Sequence, residues 1–247
     1  MNVSDNYRHS WESYWSETSG ARGEAIWDAD PSLSAQPHSE LLLPHADTTR
    51  TIVDLGCGNG TQTRYLATRF ARAVGVDLTH AAVEHARRAA AAEAGPDSAA
   101  GLVEFQQLDL TDADAVRALH ARLGDSNVYM RAVIHQSEPD ARPRVAAAVA
   151  EIIGSAGRAF VVELTSASRE VLQRAAGGPD GPGPKLRRVF QHNLKPADAA
   201  DDEIPRLLAE AGLKVLAAGE TVLPQTEDHA DGTRIDLPAR WFVLAGA

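Results

Sequence analysis

Cysteine is nearly absent: Cys57 is the single one in 247 residues, so no disulfide can form within the chain. Lysine is confined to Lys185, Lys195 and Lys214. Positive charge falls short of negative, 24 Lys and Arg against 34 Asp and Glu, for a formal net charge of -10. An acidic surface repels a phosphate backbone, so no nucleic-acid partner is expected. The one basic run, Lys185-Leu-Arg-Arg188, is too short to reverse that. No apolar run approaches the length of a membrane span. The first residues, MNVSDNYRHSWESYW, lack the apolar centre of a signal peptide, so the expectation is a cytoplasmic protein with no membrane partner. The nine histidines show no paired helical spacing with a carboxylate, and no metal is expected. Aromatic residues make up only 5%, yet three of the four tryptophans, Trp11, Trp15 and Trp27, fall before residue 50.

What the chain has is alternation. Runs rich in branched apolar residues, at 51–56, 71–78, 102–110, 127–136 and 157–164, read as buried strands. Between them, 61–70, 79–94, 111–124 and 141–154 carry helical periodicity, with Thr79 as a candidate N-cap and 95–101 as a loop. Strands alternating with helices predict right-handed crossovers and a parallel sheet covered on both faces. The end of the chain departs from this: a helix over 201–213, then strands over 214–223 and 238–247 as an antiparallel pair at the sheet edge. Residues 51–247 read as one compact α/β unit and residues 1–50 as a helical cap or lid. Two further segments lie outside the sheet: 165–200, where GGPDGPGP suggests a mobile loop, and the polar loop 224–237. Ligands bind at the carboxyl ends of parallel strands, where the first of these loops belongs. The second belongs there too if its leading strand runs with the parallel set.

The first strand leads into IVDLGCGNGTQT (52–63), a glycine-rich turn opening a helix. Such a turn alone is shared with dinucleotide enzymes, which use G-x-G-x-x-G. Here the spacing is G-x-G-x-G, through Gly56, Gly58 and Gly60, and Asp54 stands two residues before the first glycine. A carboxylate there suits a cationic ligand better than a pyrophosphate, which prefers bare N–H groups and a helix dipole. The second strand ends in Asp77, where an acid takes a ribose diol. The third ends in Leu108-Asp109-Leu110, where an acid can accept from an adenine amino group.

VDLGCGNG (53–60), VGVDLT (74–79) and QLDLTD (107–112) together resemble the class I S-adenosylmethionine-dependent methyltransferases, from about residue 51 to the end of the chain. The resemblance implies a Rossmann-like, doubly wound seven-stranded sheet, mostly parallel with an antiparallel last strand, and S-adenosyl-L-methionine as cofactor. It implies backbone contacts to the cofactor from Gly56, Cys57, Gly58 and Gly60, with Asp54 near the methionyl ammonium. Asp77 would hold the ribose, Leu78 would pack on adenine, and Asp109 with the Leu110 amide would read its edge. Arg131, in the fourth strand, joins the cofactor-binding set.

NVYMRAVIHQSEPD (127–140) resembles the segment of small-molecule O-methyltransferases in which a strand ends V-L-H-D-W and the histidine takes a hydroxyl proton; Gln136-Ser137 stand here in place of Asp-Trp. His135 is the candidate base, and Glu163, ending the fifth strand, the candidate partner that fixes its tautomer. WESYW (11–15) followed by Trp27-Asp28 is similar to segments of thiopurine-type methyltransferases, whose N-terminal helix closes over cofactor and acceptor. Tyr14, Trp15 and the loop residue His192 are the candidate contacts to a small-molecule methyl acceptor, with oxygen or nitrogen as the methylated atom. Three other readings remain at this stage: a fold member using the same cofactor for a cyclisation, an NAD(P)-dependent oxidoreductase, and a non-catalytic protein that binds the cofactor without turnover. Asp54, the glycine spacing and the lack of a convincing Tyr-x-x-x-Lys pair weigh against the oxidoreductase.

Overall fold

A computed structural model describes residues 3–93, 102–178, 181–194 and 199–246. The loop at 95–101 and the centre of the glycine/proline run, 179–180, lie outside the described residues. The chain opens with α1 (Val3–Ser16), a short 3-10 turn at Pro31–Leu33 and α2 (Ala35–Leu42). The alternating part follows: β1 (Ile52–Leu55), α3 (Thr61–Leu66), β2 (Ala73–Asp77), α4 (His80–Glu93), β3 (Val103–Gln107), α5 (Ala113–Leu123), β4 (Asn127–Arg131), α6 (Arg142–Ile153) and β5 (Arg158–Leu164). It closes with α7 (Ser168–Ala176), α8 (Pro184–Gln191), α9 (Glu203–Glu210), β6 (Lys214–Asp228) and β7 (Arg234–Ala245).

The sheet order is β3-β2-β1-β4-β5-β7-β6. All pairs through β5 are parallel, and β7 is antiparallel to both β5 and β6. Side chains alternate between two cores, as the period of two requires. Ile52, Tyr129, Phe160 and Val162 face one layer. Val53, Leu55, Val128, Met130 and Val161 face the other, under α5, α6 and α9. The first layer takes in Tyr14, Trp15 and Ile26, so the N-terminal segment supplies part of the core on that face. The strand order reverses between β1 and β4, which opens a crevice at their carboxyl ends.

Three sequence expectations are corrected. The fourth strand stops at Arg131 instead of running to 136. Ala132 takes a left-handed conformation (φ 61), and the Glu163 carboxylate gathers the amides of Val133, Ile134 and His135 that a strand would have given to its neighbour. The segment 165–200 holds two helices, α7 and α8; the glycine/proline run only links them, and Pro184 opens α8 where its missing N–H costs nothing. The loop 224–237 is mostly β-hairpin. Leu223, Ile235 and Leu237 point into the core, while Asp228, Arg234 and Asp236 face outward and gave the stretch its polar look. Because β6 runs with the parallel set, the hairpin tip lies at the carboxyl ends of the strands. Among the described residues no helix is long and apolar enough to cross a membrane.

Candidate active site

The glycine turn adopts the conformations its composition allows. Gly56, Gly58 and Gly60 all have positive φ (73, 54 and 72). A Cβ on Gly56 would lie 2.7 Å from Val133 Cγ2, and one on Gly58 would lie 2.8 Å from the Trp15 ring. The turn spends its N–H groups internally. Gly56 and Cys57 donate to the Val76 carbonyl, Gly60 to the Cys57 carbonyl, and Gly58 to Asp77 Oδ2 at 3.0 Å. Thr61, the first residue of α3, donates to Asn59 Oδ1. A pyrophosphate cradle needs those donors free. With those donors consumed, the turn is not built as a pyrophosphate cradle.

Above this turn lies a cavity of about 210 Å³. On one side it is lined by Gly56, Cys57, Gly58, Asp77 and Leu78, with Leu108 to Leu110 beyond. On the other, beyond β4, the wall is aliphatic: Leu164, Leu172, Leu186, Val189, Leu223 and Leu237. Arg131 and His135, just past β4, occupy the middle of the sheet order between the two halves.

Each acid is held by its own helix start. Asp77 Oδ1 accepts from the amide and hydroxyl of Thr79, yet burial still raises its pKa above the ordinary value. Burial pushes Asp109 up as well, but bonds from Thr111 and Arg8 outweigh it and keep that carboxyl below the usual range. The Arg8 bond (2.6 Å) crosses from α1. On the same helix, Glu12 accepts from the amides of His80 and Ala81 at the start of α4 (2.8 and 3.0 Å). Tyr7, Arg8, Trp11 and Trp15 of α1 all line the cavity, so this helix covers it.

His135 and Glu163 form the expected pair, with Nδ1 2.5 Å from Oε2 and both side chains buried. Glu163 also accepts the three backbone amides at 133–135. Nδ1 therefore carries the proton donated to Glu163, and Nε2 keeps its lone pair. Nε2 is buried with no partner among the described residues, on a side chain that lines the cavity.

Five of the sequence candidates do not line the cavity. Asp54 turns away and accepts from the Thr63 hydroxyl at 2.6 Å; burial raises its carboxyl to about 6. Gly60 packs under Phe105 and Ala86. Glu163 reaches the site only through His135. Tyr14 is fully buried behind Trp27, with ring centres 5.1 Å apart, and His192 pairs with Glu17 at 3.1 Å. Both sit in the packing of the N-terminal segment and not on the cavity wall, their rings in edge-on contact 5.7 Å apart. The sequence reading missed Asp28, Asn59 and Gln62, which line the cavity. Asn59 carried a signal, since it sits between two turn glycines. Lys185 was also missed: its ammonium donates to the Gly23 and Thr226 carbonyls and to the Thr226 hydroxyl, which clamps α8 onto the N-terminal segment.

Residues 52–157 match the family model described as a methyltransferase domain. No curated protein matches the chain. Among solved structures, a methyltransferase dependent on S-adenosylmethionine from Anabaena variabilis ATCC 29413 superposes with a TM-score of 0.86 at 23% identity, covering 100% of this chain and 96% of that one. Magnesium protoporphyrin IX methyltransferase from Synechocystis PCC 6803, with bound S-adenosylmethionine, superposes with a TM-score of 0.62 at 15% identity over 100% of both chains. Geranyl diphosphate C-methyltransferase from Streptomyces coelicolor A3(2), with Mg2+, geranyl diphosphate and S-adenosylhomocysteine, gives 0.59 at 16% identity over 98% of both. Residues 52–157, which hold the glycine turn and its successive strand ends, thus match a methyltransferase domain, and the chain as a whole shares the fold of these S-adenosylmethionine-dependent methyltransferases.

Proposed function

We propose that the chain methylates an oxygen or nitrogen of an apolar, uncharged small molecule, with His135 accepting the acceptor's proton. The observation that carries this reading is the unpartnered Nε2 of His135 on the cavity wall, with Glu163 fixed at Nδ1. A buried nitrogen lone pair without a donor is costly, and an acceptor O–H or N–H satisfies it. The cofactor supplies a methyl group already activated on a sulfonium; alignment and exclusion of water fall to the protein. Bound there, the cofactor would give its methyl group to the acceptor oxygen or nitrogen and leave as S-adenosylhomocysteine, the electron pair of the carbon–sulfur bond remaining on sulfur. The acceptor's proton passes to Nε2, and Glu163 stabilises the imidazolium.

The acceptor's character follows from the wall. Its far half is leucine and valine apart from Gln225, and the two cations that line the cavity, Arg8 and Arg131, lie away from that half. An anionic acceptor such as the diphosphate bound by the Streptomyces enzyme would lose its hydration there without repayment. On the cofactor side, the same reading gives the ribose to Asp77, the adenine face to Leu78, and its edge to Asp109 with the Leu110 amide.

The test is release of S-adenosylhomocysteine across a panel of hydrophobic phenols, alcohols and amines. With an acceptor in hand, His135→Gln should lower kcat by about 10²–10⁴-fold and leave cofactor affinity unchanged. Turnover by His135→Gln at the wild-type rate would end the assignment.

A further inference from the structure

The cavity holds two charged side chains of opposite sign that the protein itself leaves without an ionic partner. Asp28 is buried, 3% exposed, and lines the cavity beside the glycine turn. Its Oδ2 accepts from Asn59 Nδ2 at 2.7 Å, the Gly23 amide at 2.8 Å and the Thr61 hydroxyl at 3.3 Å. All three donors are neutral, and Asp28 makes no ion pair with any described residue. Arg131 lines the same cavity, and it too makes no ion pair among the described residues. Its Nη1 donates to the carbonyl of Trp27 at 2.8 Å, the residue directly before Asp28. A buried charge is normally matched by an opposite charge, because desolvation alone costs several kcal/mol per ion in general. Here the two are anchored to adjacent residues of one segment, which fits a ligand carrying both signs a few bonds apart.

We infer that Asp28 and Arg131 clamp the amino-acid end of the cofactor, Asp28 taking the ammonium and Arg131 the carboxylate, and that Asp54 does not take the ammonium. Asp54 is outside the cavity wall and already bonded to Thr63. Asp28, by contrast, lines the cavity and is tied through Asn59 to the glycine turn. The N-terminal segment thereby supplies a cofactor contact in addition to a cover. This inference rests on the cofactor assignment and is independent of the acceptor reading.

Titration of the full chain with S-adenosylhomocysteine and with 5'-methylthioadenosine tests it, because the second ligand keeps the adenosine and thioether but lacks both charged groups. Asp28→Asn keeps the shape and the bond to Asn59, and Arg131→Gln keeps a donor for Trp27. Each should weaken S-adenosylhomocysteine about tenfold or more while 5'-methylthioadenosine changes by less than about twofold. Unchanged S-adenosylhomocysteine binding by Asp28→Asn would overturn the inference. So would an equal loss of both ligands, since Asp28 would then act only by shaping the turn. A selective loss on Asp54→Asn but not on Asp28→Asn would return the ammonium to Asp54. Wild-type protein that bound neither ligand would instead overturn the cofactor assignment itself.

Discussion

At the scale of single residues, the environment of a carboxylate matters more than its place in a motif. Asp54 has the motif position, yet its carboxyl is buried against Thr63 and raised from 3.8 to about 6. A folded-state pKa above the unfolded value means the stability tied to protonation is complete below about 3.8 and lost as pH rises through about 6. Ligand-free protein should therefore lose stability over that interval, and Asp54→Asn, which keeps an oxygen for the Thr63 hydroxyl, should flatten the profile. Denaturant melts at a series of pH values would decide; an unaltered slope in the variant would assign the loss to other groups. Asp77 was legible because the terminus of β2 fixes where its side chain points, and Asp109, two residues past β3, because Thr111 holds it in the following turn. The orientations of Asp54 and Asp28 were not. The first depends on a hydroxyl nine residues later, and the second on an amide 31 residues away. His135 and Glu163 were readable as a pair only through their shared place at two adjacent strand ends.

At the scale of elements, the alternating core was readable because apolar period and turn residues agreed at each step. The misread boundaries have specific causes. β4 stops early because a side chain, Glu163, competes for its backbone amides. The β6–β7 hairpin hid behind charges that sit on one face of a period-two pattern. The segment 165–200 looked like a loop because its breaker residues are conspicuous and its two helices are short. The docking of α1 is equally invisible in sequence, since it depends on Glu12 capping α4 from 68 positions away. An acid at a helix N-terminus satisfies free amides and the dipole together. Glu12→Ala should cost about 1 kcal/mol and speed hydrogen exchange in α1 while β1 to β5 stay protected. Unchanged exchange in α1 would mean that the aromatic packing of Trp11, Tyr14 and Trp15 holds the helix unaided.

For the whole molecule, a seven-stranded sheet with an antiparallel last strand was expected from the resemblance, and the crevice follows from the order reversal between β1 and β4. Less visible was how far the first fifty residues enter the body of the protein. They put Tyr14 and Trp15 into the core, line the cavity with Trp11 and Asp28, and are clamped to α8 by Lys185. A cover built this way has a temporal cost. α1 contributes Tyr7, Arg8, Trp11 and Trp15 to the cavity wall and is pinned on Asp109 by Arg8, so departure of the products is expected to wait on movement of this helix. Release, and not bond making, should then pace each cycle. Rapid mixing with a competent acceptor should give a burst of S-adenosylhomocysteine in the first turnover, and Arg8→Ala should shrink the burst while raising the steady rate. A linear onset would place the slow step before the products form.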